Sequence, residues 1–414
     1  MTAPTALTAA EGARPADAPP KPLRALRFPG LEGALLMQDA PEVEDALRRI
    51  LRGWFPRAAD AGPEDADTAL GTIIGMGDGR HVATSPWLDA PMDRLPAASA
   101  ACCAVADLAQ AFFHQRPGTL ALHCGAARIG GRLIAFGGPA RTGKSTLISR
   151  LSAEADIEVL TDDVLPVLAD GMAFGLGVLP RLRLPLPDAA SPVFRAHVDR
   201  HLAASDKRYG YVDAPTVAPH GTRAALRVFV VLSRGPGARA TFHRIDLPEV
   251  MRHMIARNMT RGPGVFGRLA ALAEGLTCLR LVYEDLEEAV DLIRRAFAGP
   301  GLDIDILPPI PEPRDPVETR LPPADPAQVW ARAAQVALRR VAGDAFLWNA
   351  ATGRHFHLNA VAAAVWTLLE DPLPGGEIAA VLAEAFEDAE PAQVTADVAV
   401  LLSALSQEGL VVPA

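Results

Sequence analysis

Gly138-Pro139-Ala140-Arg141-Thr142-Gly143-Lys144-Ser145-Thr146 stands between the apolar run 133–136 and a stretch of helical periodicity, 147–154. The spacing is that of a Walker A loop, and it has the strand before it and the helix after it that such a loop requires. Glycines let the backbone curl so that successive N–H groups face phosphate oxygens, and the helix N-terminus adds a positive partial charge. Residues 138–146 are therefore expected to bind the phosphates of ATP. Lys144 would bridge the β- and γ-phosphates, Ser145 would ligate Mg2+ through its hydroxyl, and Thr146 would add a further hydroxyl. Strand, loop and helix in that order read as an α/β fold.

Working outward, Thr161-Asp162-Asp163 closes the apolar run 157–160. Two adjacent carboxylates are poorly suited to a buried strand end unless a cation pairs with them, and a metal-bound triphosphate supplies that cation. One aspartate can sit on magnesium while the other accepts the proton of an attacking hydroxyl. Upstream, 119–136 reads as two strands joined at Gly130-Gly131, a pair suited to a tight hairpin, with His123 on the first. A lone strand histidine is more often structural. Of the 40 basic residues only Lys21, Lys144 and Lys207 are lysines. Where arginine is the default cation, a retained lysine marks a place for a compact ammonium. Further β segments at 164–168 and 227–232, a helical stretch at 247–256 and the unit 279–298 complete this region.

A chain of 414 residues is too long for one ordinary core. Its net charge of −9 and its lack of a basic cluster exclude a general nucleic-acid binder. Cys102, Cys103, Cys124 and Cys278 follow neither a metal-ligand spacing nor a disulfide framework, so a cytoplasmic location is expected. Residues 1–22 lack the basic start and apolar core of a signal peptide and read as a disordered tail; no later stretch reaches membrane-spanning length, and no membrane partner is expected. Residues 23–118 read as a small α+β region with an amphipathic helix at 43–54, an apolar helix at 97–115 and no chemical motif.

Nine prolines between 300 and 326 mark a semi-rigid linker. At about 3.1 Å per residue it would span up to roughly 80 Å. Beyond it, 335–341, 345–349 and 354–358 read as three strands with turns at Gly343-Asp344 and Thr352-Gly353. Three helices follow, at 360–370 with Asn359 as N-cap, at 376–386, and a third carrying Val394, Val398, Leu401, Leu402 and Leu405 on one face. His355 and His357 alternate on a strand without a third metal ligand, and Trp330, Trp348 and Trp366 read as core.

The ordered set Leu122-His123-Cys124-Gly125-Ala126-Ala127, then 138–146, then Val159-Leu160-Thr161-Asp162-Asp163-Val164 resembles the HPr kinase/phosphorylase catalytic domain, whose fold is similar to phosphoenolpyruvate carboxykinase. The resemblance covers about 119–232 and implies an ATP- and Mg2+-dependent kinase core over 119–299, preceded by the α+β region. It places His123 near the acceptor and gives the aspartates the roles of base and metal charge, with Asp162 taking the proton and Asp163 joining Ser145 at the metal. The family's Glu-Ile-Arg-Gly segment is replaced by Gly177-Val178-Leu179-Pro180-Arg181-Leu182-Arg183-Leu184, which argues against HPr as substrate. Asp206-Lys207-Arg208-Tyr209 resembles a basic segment of divergent relatives, where Lys207 and Arg208 would steady the transferring phosphate.

Residues 327–414 resemble PqqD, a winged-helix-like domain that holds the leader of a precursor peptide. The matching features are Phe356-His357-Leu358-Asn359, Val365-Trp366, Gly376-Glu377-Ile378 and Glu408-Gly409-Leu410. The resemblance implies that a leader adds as a strand along 354–358, with Arg354, Phe356, Val398 and Leu402 as its contacts. Together these features lead to a serine or threonine kinase for a ribosomally made precursor peptide. A kinase for a small molecule or another protein, and a non-catalytic nucleotide-dependent peptide-delivery protein, are the competing expectations. Relatives of the kinase core assemble, so a homo-oligomer is an open expectation.

Overall fold

A computed structural model of the chain describes residues 22–262, 264–299, 301–302, 304–310, 321–385 and 390–414. The expected tail and the middle of the proline-dense stretch lie outside the described residues. Two compact units result. The first takes the described residues up to Phe242 with Arg257–Met259 and Leu279–Ile306; the second takes His243–Ala256, Thr260–Cys278 and the described residues from Leu307 onward. Most of 243–278, which the sequence assigns to the kinase-like region, is thus part of the C-terminal compact unit.

In the first unit, seven strands run in the order Glu158–Thr161, Gly125–Ile129, Arg132–Gly137, Arg223–Arg234, Met172–Phe174, Val164–Val167, Leu120–His123. Arg223–Arg234 is the spine. Its first residues pair antiparallel with Met172–Phe174, and its later ones run parallel to Arg132–Gly137, with Val231 opposite Gly137. The run from Val228 to Leu232 is buried throughout, as expected of a strand covered on both faces. The first expected strand is broken at Cys124. Leu120–His123 pairs with Val164–Val167, His123 opposite Val164, whereas Gly125–Ile129 pairs with Glu158–Thr161, Ala126 opposite Thr161. The break at Cys124 and the break at Asp162-Asp163 therefore lie opposite each other in register.

The helix Lys144–Leu151 leaves the loop and buries Leu147, Ile148 and Leu151 against this sheet. Its close approach needs Gly125, where an added Cβ would sit 2.3 Å from Ile148 Cγ1.

The N-terminal region holds a six-stranded sheet, in the order Arg57–Asp60, Arg24–Arg27, Ala34–Gln38, Ala69–Gly75, His81–Thr84, Met92–Leu95. The helices Pro41–Ile50 and Ala97–His114 share one core with it. Contrary to expectation, Ala97–His114 is long and apolar enough to cross a membrane by length and composition; 44% of that window is buried inside the fold. A three-stranded sheet of Arg181–Arg183, Tyr209–Val212 and Leu202–Ser205, with the helix Pro192–His201, was not expected from the sequence.

In the second unit the strands Val336–Val341, Asp344–Asn349 and Arg354–Leu358 form an antiparallel sheet, followed by the helices Ala360–Leu368, Gly375–Ala385 and Pro391–Gln407. The Asn359 side chain accepts from Ala362 N at 2.8 Å, so the expected cap is present. The first hairpin turns at Ala342-Gly343, one residue earlier than expected, because both take left-handed backbone. One face of the sheet, with Leu347 and Leu358, packs into a core containing Trp330, Val365 and Trp366. On the other face Phe346 and His355 meet Phe266 of the helix Val265–Glu274, at ring centroid distances of 5.6 and 5.5 Å. The end of the proline-dense stretch belongs to this fold: Ser403 Oγ donates to Pro322 O, Ala324 N to Ala399 O and Gly376 N to Pro326 O.

Gly125→Ala overpacks the contact with Ile148 and is expected to destabilise the first unit by about 1–3 kcal/mol. In urea unfolding the midpoint should fall without a change of slope, and adding Ile148→Ala should cost less than the two separate losses combined. An unchanged midpoint would remove the close approach as a constraint.

Candidate active site

The loop between Arg132–Gly137 and Lys144–Leu151 approaches the spine strand closely. A Cβ on Gly138, at φ +134°, would lie 2.8 Å from Leu232 O, so only glycine fits. Arg141 takes φ 66°, a left-handed conformation that non-glycine residues rarely adopt and that clusters at ligand clamps. On the loop's flank Tyr283 OH donates to Thr142 O at 2.9 Å. Lys144, Ser145 and Thr146 open the helix, where the first amides have no intrahelical acceptor and the dipole favours an anion. Lys144 is buried, and its Nζ donates to Gly138 O at 3.1 Å and Pro139 O at 2.9 Å. Burial, and then the nearby Arg257 guanidinium, pull the lysine below its ordinary pKa. Such a cation cluster at a helix N-terminus suits phosphate.

The break in register described above positions the acidic pair. His123, at the end of its strand, places Nδ1 3.0 Å from Asp163 Oδ1. Hydrogen bonding to His123 holds the Asp163 carboxyl below the usual range. Asp162 is buried instead; it accepts from Arg181 N at Oδ2 (3.0 Å), and the Ser145 side chain lies near it. Burial, reinforced by the charge of Asp163, pushes Asp162 up to about 7. The Ser145 hydroxyl beside a carboxylate whose charged form is disfavoured is a donor set suited to a divalent cation bound together with phosphate oxygens. Among the described residues no cluster of three or more His, Cys, Asp and Glu side chains forms a metal site of another kind. His355 and His357 are otherwise engaged, His355 stacked on Phe266 and His357 Nε2 2.7 Å from Asp344 Oδ2.

These groups open on one cavity of about 780 Å³. His123, Lys144, Ser145, Thr146, Asp162 and Asp163 all line it, so residues far apart in sequence are brought together. Arg181 and Arg234 also line it and were not singled out from the sequence for a role in the site. The Arg181 guanidinium donates to Cys102 Sγ and lies 4.7 Å from the centre of the Tyr209 ring. Lys207 and Arg208 are exposed in the hairpin turn before Tyr209, with Asp206 accepting from the Arg208 and Tyr209 amides, and neither lines the cavity.

In the second unit Arg354–Leu358 pairs only with Asp344–Asn349 within its sheet and forms an edge. Arg354 is exposed, ion-paired with Glu408 and 5.0 Å from the Phe356 ring centre; Phe356 is half-buried. Val398 and Leu402 are 1% and 0% exposed, so they cannot serve as surface contacts as expected. They hold the helix Pro391–Gln407 to the core, and the partly buried residues of that helix beside the same core are Val394 and Leu401.

Residues 344–411 match the sequence profile of PqqD, described as coenzyme PQQ synthesis protein D. The chain therefore carries a PqqD domain. A comparison with curated protein sequences gives no match. Among solved structures, TbiB1 in complex with the TbiA(beta) leader peptide is 25% identical, over 20% of this chain and 93% of that one, with a TM-score of 0.19. The PqqD truncation of Methylobacterium extorquens PqqCD, described as a stand-alone recognition element for ribosomally synthesised and post-translationally modified peptides, is 26% identical over 22% of this chain and 94% of that one (TM-score 0.20). The Hpr(Ser) kinase/phosphatase from Coxiella burnetii is 12% identical over 42% of this chain and 93% of that one (TM-score 0.22).

The Asp162 environment has a stability consequence. Its folded pKa, about 7, lies above the ordinary 3.8. Below the ordinary value the carboxyl is protonated in both states; between the two values the unfolded chain ionises while the folded one keeps its proton. Stability therefore falls as pH rises through this window, and the loss is complete above the folded value. Asp162→Asn removes the titration. Without nucleotide or metal, its stability gain over the natural chain should grow from pH 4 to pH 8 by as much as about 4 kcal/mol, read from paired denaturant curves. A pH-independent difference would contradict the buried, charge-crowded setting.

Proposed function

We propose that this chain is an ATP- and Mg2+-dependent kinase that phosphorylates a serine or threonine hydroxyl of a ribosomally synthesised precursor peptide held by its PqqD domain. The observation that carries this reading is the sharing of one cavity by the phosphate loop, the Ser145–Asp162 pair and the His123–Asp163 pair. A phosphoryl donor, a metal donor set and a proton acceptor are what in-line transfer to a hydroxyl requires.

The pairing favours exchanging the roles expected for the two aspartates. Asp162 shares Ser145, so those two would hold magnesium, which when bound neutralises charge on the transferring phosphates. Asp163 is held ionised by His123 and would receive the acceptor proton, with His123 fixing its orientation. Lys144 and the loop amides would hold the phosphates, and Arg181 fixes Asp162 through its backbone N–H. Lys207 and Arg208 are proposed to reach phosphate only through movement of their turn.

The PqqD match supports leader capture, and the edge strand Arg354–Leu358 suits β-augmentation, with Arg354 and Phe356 facing the incoming strand's side chains and Val394 and Leu401 replacing Val398 and Leu402 as helix contacts. Capture raises the local concentration of the acceptor.

Asp163→Asn should lower kcat by about 10²–10⁴ at saturating Mg2+, whereas Asp162→Asn should chiefly raise the Mg2+ concentration needed for half-maximal rate. The reverse pattern would restore the order expected from the sequence. Removing the leader from the precursor should lower kcat/KM by roughly 10²-fold. Equal use of leaderless peptide, or of a small hydroxyl compound, would favour a kinase whose PqqD domain serves another partner.

A further inference from the structure

The helix Ala97–His114 is uncharged on two faces: one is buried in the core, and the other packs against that core at its edge through Cys102, Val105, Ala109 and Phe113 while also lining the cavity. Ala100, Ala101, Ala104, Leu108, Ala111 and Phe112 are buried in the N-terminal core. Cys102, Val105, Ala106, Ala109, Gln110 and Phe113 recur at helical spacing on a second face, and all six line the cavity that holds the phosphate loop. Ala106 is exposed and the others are half-buried. This face has no charged side chain; away from the helix the cavity is lined both by the charged Lys144, Asp162, Asp163 and Arg181 and by the apolar Leu176, Leu179 and Leu186.

The face can be placed relative to the chemistry. Cys102 receives a hydrogen bond from the Arg181 guanidinium, and the Arg181 N–H donates to Asp162. Tyr283, bonded to Thr142 and with the Arg234 guanidinium 5.8 Å from its ring centre, does not line the cavity. The helix wall thus adjoins the aspartate side. An apolar wall continuous with a site built to handle phosphate is unfavourable in water and becomes favourable when an apolar group covers it.

The geometry points to this helix as the specificity wall for the acceptor: it takes uncharged, apolar side chains that flank the phosphorylated hydroxyl of a peptide, with the small residues Ala106 and Ala109 leaving room between Val105 and Phe113. The inference rests on the kinase reading and names the acceptor class of that site. It also gives the N-terminal region, otherwise without a chemical motif, a part in substrate choice.

The test uses the full-length chain, ATP and Mg2+ with a library of short peptides that carry a fixed central serine and one randomised flanking position at a time, and reads labelled phosphate on peptide. The natural chain should prefer Leu, Ile, Val, Met or Phe flanks over Asp or Lys flanks by about tenfold or more. Ala106→Glu, at an exposed position, should abolish that preference and favour Lys flanks, with the Kd for ATP unchanged within about twofold. Ala109→Phe should lower use of the largest flanks most. A flat or charged preference in the natural chain, or an unchanged preference in Ala106→Glu, would overturn the wall while leaving the kinase reading in place. Weakened ATP binding in both variants would overturn it by assigning the wall to the nucleobase. Absence of transfer to every peptide, with ATP still bound, would overturn both.

Discussion

Two adjacent carboxylates at the end of a buried strand cannot both stay ionised without compensating charge, and the first unit is arranged around that constraint. Asp163 finds compensation in His123, which the pairing of Leu120–His123 with Val164–Val167 sets directly beside it. Asp162 accepts from the Arg181 amide and has the Arg181 guanidinium nearby, but burial and the charge of Asp163 outweigh both, so its charge is disfavoured. Lys144 and Arg257 show the opposite imbalance, with cations crowding each other near the loop. Lys144 and Asp162 line one cavity, and a metal-bound triphosphate there would satisfy both.

The sheet's broken register makes this arrangement possible. Had the chain run straight from Leu120 to Ile129 along one partner, His123 and the aspartates would share no corner. Leaving one partner at Cys124 and joining another puts the two breaks opposite each other. Gly125 then lets the loop helix settle against the sheet, which brings Ser145 to Asp162. The second unit follows a different logic. Its small sheet is covered on one face by its own helices and on the other by Phe266, leaving the strand Arg354–Leu358 open along its edge rather than across its face.

The glycine-rich loop between strand and helix was legible because its features are local: backbone curl, helix N-terminus, lysine and hydroxyl all fall within nine consecutive residues. The three strands and three helices of the C-terminal domain were legible because periodicity and turn residues are also local. What the sequence concealed depends on contacts between distant segments. Which aspartate meets Ser145 is set by pairing register, not by spacing. The apolar second face of Ala97–His114 looks the same in sequence whether it faces a core or a cavity. Val398 and Leu402, expected as leader contacts from the resemblance to PqqD, lie on an apolar stripe whose side chains the core buries.

On the proposed reading the loop delivers the γ-phosphoryl group of ATP to a hydroxyl of a captured peptide. The most direct measurement is to incubate the full-length chain with γ-labelled ATP, Mg2+ and a leader-bearing precursor, and to locate the label by mass spectrometry of the peptide. Phosphate is expected on a serine or threonine of the segment following the leader, and none when Lys144 is replaced by alanine. Nucleotide bound without any label reaching the peptide would contradict it and favour a protein that delivers its peptide to another enzyme.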